Sequence, residues 1–287
     1  MADYCTLKVG GEAWAVLAPT DSDSIVRITN GLSAEGFAWR VIGQGSNLLV
    51  PDEGYHGAIL VMGSGYGAIR MVNEAGEAVR LEVEAGCRLG RLLNWSLEKG
   101  LAGLEFVVGI PGTLGGAVVM NAGAIGREMK DVIDLVTILD GAGEVHTRTQ
   151  DQLSFTYRSW GEPPESILLS ARLVLDQGDG DQLRETCREL MRARRGRQPW
   201  GMANAGSIFK NPPGGYAGKL IETTGLKGLQ VGGAMVSEEH ANVIVNTGKA
   251  TATDVITLMH EVRDQVLTRH GISLEPEIHM LTVRPWE

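Results

Sequence analysis

The sequence predicts an α+β fold built from many short strands, on three observations. Val79-Arg80-Leu81-Glu82-Val83-Glu84 alternates apolar and charged residues, the period of a half-buried strand. Apolar residues recur at helical spacing in well-separated stretches of the chain. Glycine supplies 39 of the 287 residues, about twice the usual share, which calls for tight turns or close approaches of backbone to a ligand.

Taken in order, the short apolar run 58–62 predicts a strand. Leu89, Leu92, Leu93 and Leu97 line one face of a helix that Gly100 closes. Runs 132–139 and 167–175 predict further strands with turns between them. The tract "DQGDGD", residues 176–181, reads as a surface turn before a helix and is the best candidate seam in a chain without a low-complexity linker. Leu183, Cys187, Leu190 and Met191 line a helix over 181–195. Val255, Leu258, Met259, Val262 and Val266 line another over 254–270, closed by Gly271.

Composition excludes several classes. A net charge of −9 argues against broad nucleic-acid binding, because phosphate contacts need a basic surface. Cys5, Cys87 and Cys187 are odd in number and widely spaced, which fits a reducing cytosol and neither a disulfide framework nor a zinc site. The start "MADYCTLKVGGEA" has no apolar core of a secretory signal. The nearly uncharged run 106–126 is too broken by glycine and proline to span a membrane. The six histidines, His56, His146, His240, His260, His270 and His279, show no metal spacing, and His240 reads as structural. The expectation is a cytosolic protein that binds no nucleic acid, membrane or metal.

Two glycine-rich segments carry the ligand chemistry. In "GQGSNLLV" (43–50), Gly43 and Gly45 let the main chain present amides to an anion, with Ser46 and Asn47 adding side-chain donors. A plain turn between strands is the even alternative. "GIPGTLGGAVVMNAG" (109–123) holds Gly109, Pro111, Gly112, Thr113, Gly115, Gly116 and Gly123 between apolar residues. A structural turn needs one or two glycines, so this backbone is expected to wrap a flat or phosphorylated ligand, with Asn121 as a positioned polar group. Neither segment is a Walker A or a G-x-G-x-x-G.

These segments fall into an ordered set: "VGGEA", "GQGSNLLV", "GLEFVVGIPGTLGGAVVMNAGA", "FTYRS", "RQP", "NAGSIFKNP", "AGKLIETTGLKG", "SEEHANVIVN" and "LEPEI". The set resembles the UDP-N-acetylenolpyruvoylglucosamine reductase (MurB) family over nearly the whole chain. The resemblance implies an FAD-binding fold of the vanillyl-alcohol-oxidase (PCMH) type plus a C-terminal α+β substrate domain. It implies residues 1–61 as a first FAD-binding subdomain completed by a C-terminal strand over 275–287, residues 62–198 as a second, and 199–274 as the substrate-binding domain. The chain is too short for the tyrosine loop and inserted fold of longer members, and is similar to the short, type II form.

The implied reaction uses NADPH as reductant and non-covalent FAD, and converts UDP-N-acetylglucosamine enolpyruvate to UDP-N-acetylmuramate. The glycine segments would cradle the FAD. Hydride arrives at the vinyl carbon, an enolate develops beside the carboxylate, and a proton must reach the neighbouring carbon. Ser207 of "NAGSIFKNP" matches the family's proton donor and needs no adjacent base; a turn-capping serine is the bland alternative. Arg158 of "FTYRS" matches the family's arginine, whose fork of donors suits a carboxylate becoming an enolate. Glu277 of "LEPEI" matches the family's glutamate, although Glu275 would share its face on a strand. Arg197, Lys210 and Asn211 are candidates for the substrate diphosphate.

Two other readings share part of this pattern. Another flavin oxidase or dehydrogenase of the same fold would keep the glycine segments but has no reason to carry "NAGSIFKNP" and "LEPEI" together. A non-catalytic nucleotide-sugar-binding protein has no use for Ser207, Arg158 and Glu277. A serine hydrolase would need a G-x-S-x-G turn, which is missing.

Overall fold

The computed structural model describes residues 1–73 and 78–282. The chain forms two compact units, one of Met1–Trp14, Gly45–Gly57 and Ala193–Glu287, the other of Ala15–Gln44 and Ala58–Arg192.

The larger unit is organised by an antiparallel sheet of strands Val145–Thr149, Ile133–Leu139, Ile167–Gln177, Ala78–Glu84 and Ile69–Asn73, in that order. Short strand Leu101–Ala102 extends it at the end of Ile167–Gln177. The alternation seen in the sequence becomes one buried face: Val79, Leu81 and Val83 are buried while Arg80, Glu82 and Glu84 remain partly open. Leu173 faces Leu81 on one side and Ile133 on the other, so the central strand locks its neighbours' register.

Among the described residues, four α-helices belong to this part of the chain. In α1 (Ser22–Ala34), Asp21 caps the start by accepting the Ser24 amide at 2.7 Å. Helix α2 (Leu89–Glu98) buries Leu89, Leu92, Leu93 and Leu97, as their spacing predicts, and Gly100 follows at φ 65°. The short α3 (Leu114–Val119) emerges from the second glycine segment. Helix α4 (Gly180–Arg195) begins where Asp179 accepts the amides of Asp181 and Gln182, so "DQGDGD" is the turn before a helix that its composition suggests. Cys187 is buried in the core, with Leu183, Leu190 and Met191 packed half-buried against it.

The smaller unit contains an antiparallel four-stranded sheet in the order Ala203–Ser207, Val243–Asn246, Ala234–Val236, Gln230–Val231. Helix α5 (Ala217–Thr224) ends at Gly225 with φ 86°. Helix α6 (Ala252–His270) packs on α5 and on the last two strands, burying Val255, Leu258, Met259, Val262 and Val266. Thr251 and Asp254 form a capping box at its start, and Gly271 at φ 69° ends it. Asp52 adds a second cap, accepting the amides of Ala252 at 2.7 Å and Thr253 at 2.8 Å. Strand His279–Met280 runs parallel to Leu48–Leu49. Part of the C-terminal strand expected over 275–287, residues 283–287, lies outside the described residues.

Candidate active site

In the larger unit the start of the first glycine segment, Gly43 and Gln44, meets the second segment. A Cβ on Gly43 would sit 2.3 Å from Thr113 Oγ1, so only glycine permits the approach. Gln44 Oε1 accepts the Gly112 amide at 3.2 Å. The second segment is then sewn to the loop before α2: Leu89 N–H donates to Gly112 O, Leu114 N–H to Cys87 O and Gly115 N–H to Ala85 O, at 2.8–3.0 Å. Gly109 and Gly112 hold φ of 71° and 128°. Pro111 and Gly116 are exposed, and Gly123 pairs with Glu128 in a small two-stranded turn.

Thr113 occupies the N-cap of α3, but its hydroxyl makes no cap bond and is buried without a hydrogen-bond partner among the described residues. Leaving a buried hydroxyl unmade costs on the order of 1–3 kcal/mol. A hydroxyl with free capacity, set between two glycine turns that approach within contact distance, fits the phosphate or ring oxygens of a flavin dinucleotide.

Asn121 departs from its sequence-based expectation. It is wholly buried at φ 40°. Its Nδ2 donates to Glu128 Oε2 at 2.9 Å and to Thr156 O at 3.2 Å, and its Oδ1 accepts the Lys130 amide at 3.1 Å. Both amide hydrogens and the carbonyl are engaged by protein, so its side chain is not the ligand-facing group that "NAG" suggested. It ties three stretches of chain together.

One of those stretches carries Arg158. Thr156 and Ser159 exchange backbone hydrogen bonds of 2.9 and 3.2 Å, leaving Tyr157 and Arg158 as the two corner residues. Arg158 sits at φ 61°, and its guanidinium lies 4.7 Å from the centroid of the Tyr157 ring. A side chain larger than Asn in this left-handed region stores about 1–2 kcal/mol, and such strain persists only where neighbours over-determine it.

In the smaller unit Ser207 closes strand Ala203–Ser207, just after Gly206 at φ 72° and at an irregularity in the pairing with Val243–Asn246. Its flank is held by Asn242, a buried residue the sequence reading did not single out. Asn242 Oδ1 accepts the Phe209 amide at 3.0 Å, its Nδ2 donates to Phe209 O at 2.8 Å, and its carbonyl accepts the Ile208 amide at 2.9 Å.

The same segment pairs with "LEPEI": Glu277 N–H donates to Ile208 O at 2.7 Å, Phe209 bridges to Pro276, and Lys210 N–H donates to Glu275 O at 2.8 Å. Asn47 Nδ2 in turn donates to Glu277 O at 3.1 Å, and the His279 amide to Asn47 O. Ile208, next to Ser207, thus shares one local hydrogen-bond network with Glu277 and Asn47.

The two acids differ in their surroundings. Glu275 is 70% exposed at its side chain and pairs with Lys210 Nζ at 2.5 Å, whereas Glu277 is partly buried within the network. The substrate candidates have other duties as well. Lys210 shares its charge with Glu275, and Asn211 Oδ1 accepts the Ala217 amide at the start of α5 at 3.0 Å. Arg197 is exposed. Arg194, three residues earlier, is half-buried, and burial pulls its pKa below the usual arginine value.

Burial also lowers the pKa of His240, whose Nδ1 accepts the Asn242 amide at 3.2 Å, in keeping with a structural role. All three cysteines are buried and unpaired, and burial raises the Cys87 thiol to about 11. Among the described residues no group of His, Cys, Asp and Glu could hold a metal ion, and no helix is long and apolar enough to cross a membrane.

The glycine-rich turns of the larger unit and the paired Ser207 and Glu277 segments of the smaller unit fall within matches to an FAD-binding domain and to a separate C-terminal domain. The FAD binding domain matches residues 13–149, and the UDP-N-acetylenolpyruvoylglucosamine reductase C-terminal domain matches residues 198–281. The UDP-N-acetylenolpyruvoylglucosamine reductase of Syntrophus aciditrophicus is 39% identical over 278 residues, covering 97% of this chain and 89% of that protein. That of Caldanaerobacter subterraneus is 39% identical over 282 residues, covering 98% and 91%. The crystal structure of the MurB reductase from Thermus caldophilus superposes with a TM-score of 0.80 at 38% identity, covering 97% of this chain and 96% of its own. The chain belongs to the UDP-N-acetylenolpyruvoylglucosamine reductase (MurB) family.

Proposed function

We propose that this chain is a flavin-dependent oxidoreductase that reduces UDP-N-acetylglucosamine enolpyruvate to UDP-N-acetylmuramate with NADPH, a step of peptidoglycan precursor synthesis in the cytoplasm. The observation that carries the reading most directly is the pairing of the Ser207 segment with the Glu277 segment through Glu277 N–H and Ile208 O at 2.7 Å. This backbone pairing sets the segment that bears the Ser207 hydroxyl beside the segment that bears the Glu277 carboxylate, which a plain flavin oxidase has no need to do.

FAD, when bound, supplies hydride transfer from NADPH to the enolpyruvyl group. Gly43, Gly45, Ser46, Asn47, Gly109, Pro111, Gly112, Thr113, Gly115, Gly116 and Gly123 are the residues proposed to cradle it, with the unsatisfied Thr113 hydroxyl as the clearest donor. As hydride reaches the vinyl carbon, charge gathers on the substrate carboxylate, where the Arg158 guanidinium stabilises it. Ser207 delivers its hydroxyl proton to the adjacent carbon. Serine is a weak acid, but a carbanion-like centre is strongly basic, so position matters more than acidity. Glu277 is proposed to stabilise the enolate as well.

Arg197, Lys210 and Asn211 are proposed to meet the substrate diphosphate. On a chain of net charge −9 such local cations are needed to attract a polyanion. The division of labour follows the sequence reading, with 1–61 and 62–198 serving FAD and 199–274 serving the nucleotide sugar. Purified protein mixed with NADPH and then with the enolpyruvyl sugar, without oxygen, tests the reading: flavin absorbance should fall and then return. Return only on admitting oxygen would favour an oxidase, and no yellow protein even after adding FAD would remove the flavin.

A further inference from the structure

We infer that Asn121 is a positioning residue for Arg158, acting through the backbone of the Thr156–Ser159 turn; this rests on the reading of Arg158 given above. The turn places a non-glycine residue at φ 61°, a conformation that must be held from outside. Within the turn only two backbone hydrogen bonds close it, Thr156 N–H to Ser159 O and Ser159 N–H to Thr156 O. The Thr156 carbonyl accepts a second bond, 3.2 Å from Asn121 Nδ2.

Asn121 is anchored independently of the turn. Its other Nδ2 hydrogen goes to Glu128 Oε2, whose carboxylate is also paired with Lys130 Nζ at 2.8 Å, and its Oδ1 takes the Lys130 amide. The side chain is therefore a rigid strut, wholly buried, that connects the end of the second glycine segment to the corner bearing Arg158. Asparagine suits the position because one planar amide offers two donors and an acceptor in fixed directions. Aspartate would lose both donors and face Glu128 as a like charge.

Without the strut the turn would relax, and Arg158 would drift from the geometry its charge requires. Misplacement of about 1 Å costs on the order of a hundredfold in rate, so Asn121→Ala is expected to slow reoxidation of the reduced flavin by the enolpyruvyl sugar roughly ten- to a hundredfold. Flavin reduction by NADPH should keep its wild-type rate.

The test combines three readouts. First, stopped-flow rates of the two half-reactions are compared for wild type, Asn121→Ala, Arg158→Ala and the double variant. The double variant should be no slower than Arg158→Ala alone, since the strut has nothing left to position. Second, hydrogen exchange of the 154–161 amides in protein free of substrate should accelerate in Asn121→Ala. Third, Asn121→Ser, which leaves a smaller void, should fall between wild type and alanine.

Multiplicative losses in the double variant, equal slowing of both half-reactions, or unchanged exchange in the turn would overturn the positioning role. So would failure of both Asn121 variants to fold, which would assign the residue to the fold alone. If Arg158→Ala reoxidises at the wild-type rate, the reading of Arg158 fails, and the positioning role falls with it.

Discussion

At the scale of single residues, chemistry and stability separate cleanly. Ser207→Ala keeps the backbone network of Asn242 and Glu277 intact, since none of its bonds uses the hydroxyl. It should bleach normally with NADPH while turnover falls on the order of 10²–10⁴-fold, the range for loss of a positioned proton donor; stopped-flow absorbance distinguishes the two half-reactions. The two acids should behave differently: Glu277→Gln slows reoxidation, whereas Glu275→Gln, losing an exposed pair to Lys210, keeps turnover near wild type. A histidine supplies the pH dependence. Burial holds His240 below its usual value of 6.5, so the unfolded chain binds a proton near that pH that the folded chain refuses. Its contribution is whole above the unfolded value and is lost as pH falls through it. Urea midpoints should drop between about pH 7.5 and 5.5, and His240→Gln should flatten the drop; a midpoint insensitive to this substitution would contradict the burial argument.

At the scale of elements, helix starts and strand flanks hold the site in place. Asp52 follows the first glycine segment and caps α6 through Ala252 and Thr253. Asp52→Ala should lower stability by about 1 kcal/mol, as for other lost N-caps, read as a lower urea midpoint. Asn242→Ala should cost more, because it strands the Phe209 amide and carbonyl in a buried place at about 1–3 kcal/mol each, and it should slow turnover by loosening the residues after Ser207. Helices α2, α4 and α6 were legible in the sequence because leucine and valine spacing and closing glycines report a helix locally. The strand Ala78–Glu84 was legible by its alternation. The short strands around Ser207 were less so: the irregular pairing of Ala203–Ser207 depends on partners some forty residues away, which no local pattern encodes.

At the scale of the whole chain, the order of the nine motifs carried the family, while roles within motifs depended on contacts the order does not contain. Both occurrences of "NAG" end in a strand glycine, but Asn121 is a buried strut, whereas Asn204 Oδ1 accepts the Gly206 amide within the strand Ala203–Ser207. The meeting of Gly43 with Thr113 joins positions far apart in sequence, and the unsatisfied hydroxyl it leaves is visible only once the chain is folded. Asn242 and Arg194 lay inside or beside quoted motifs, yet neither residue type signals burial on its own. The measurement that tests the central claim most directly is anaerobic spectroscopy of the purified protein, with NADPH added first and UDP-N-acetylglucosamine enolpyruvate second. The account predicts a yellow protein that bleaches, regains its absorbance as the sugar is added, and yields UDP-N-acetylmuramate. A bleached protein that stays colourless with the sugar and recovers only in air would contradict it.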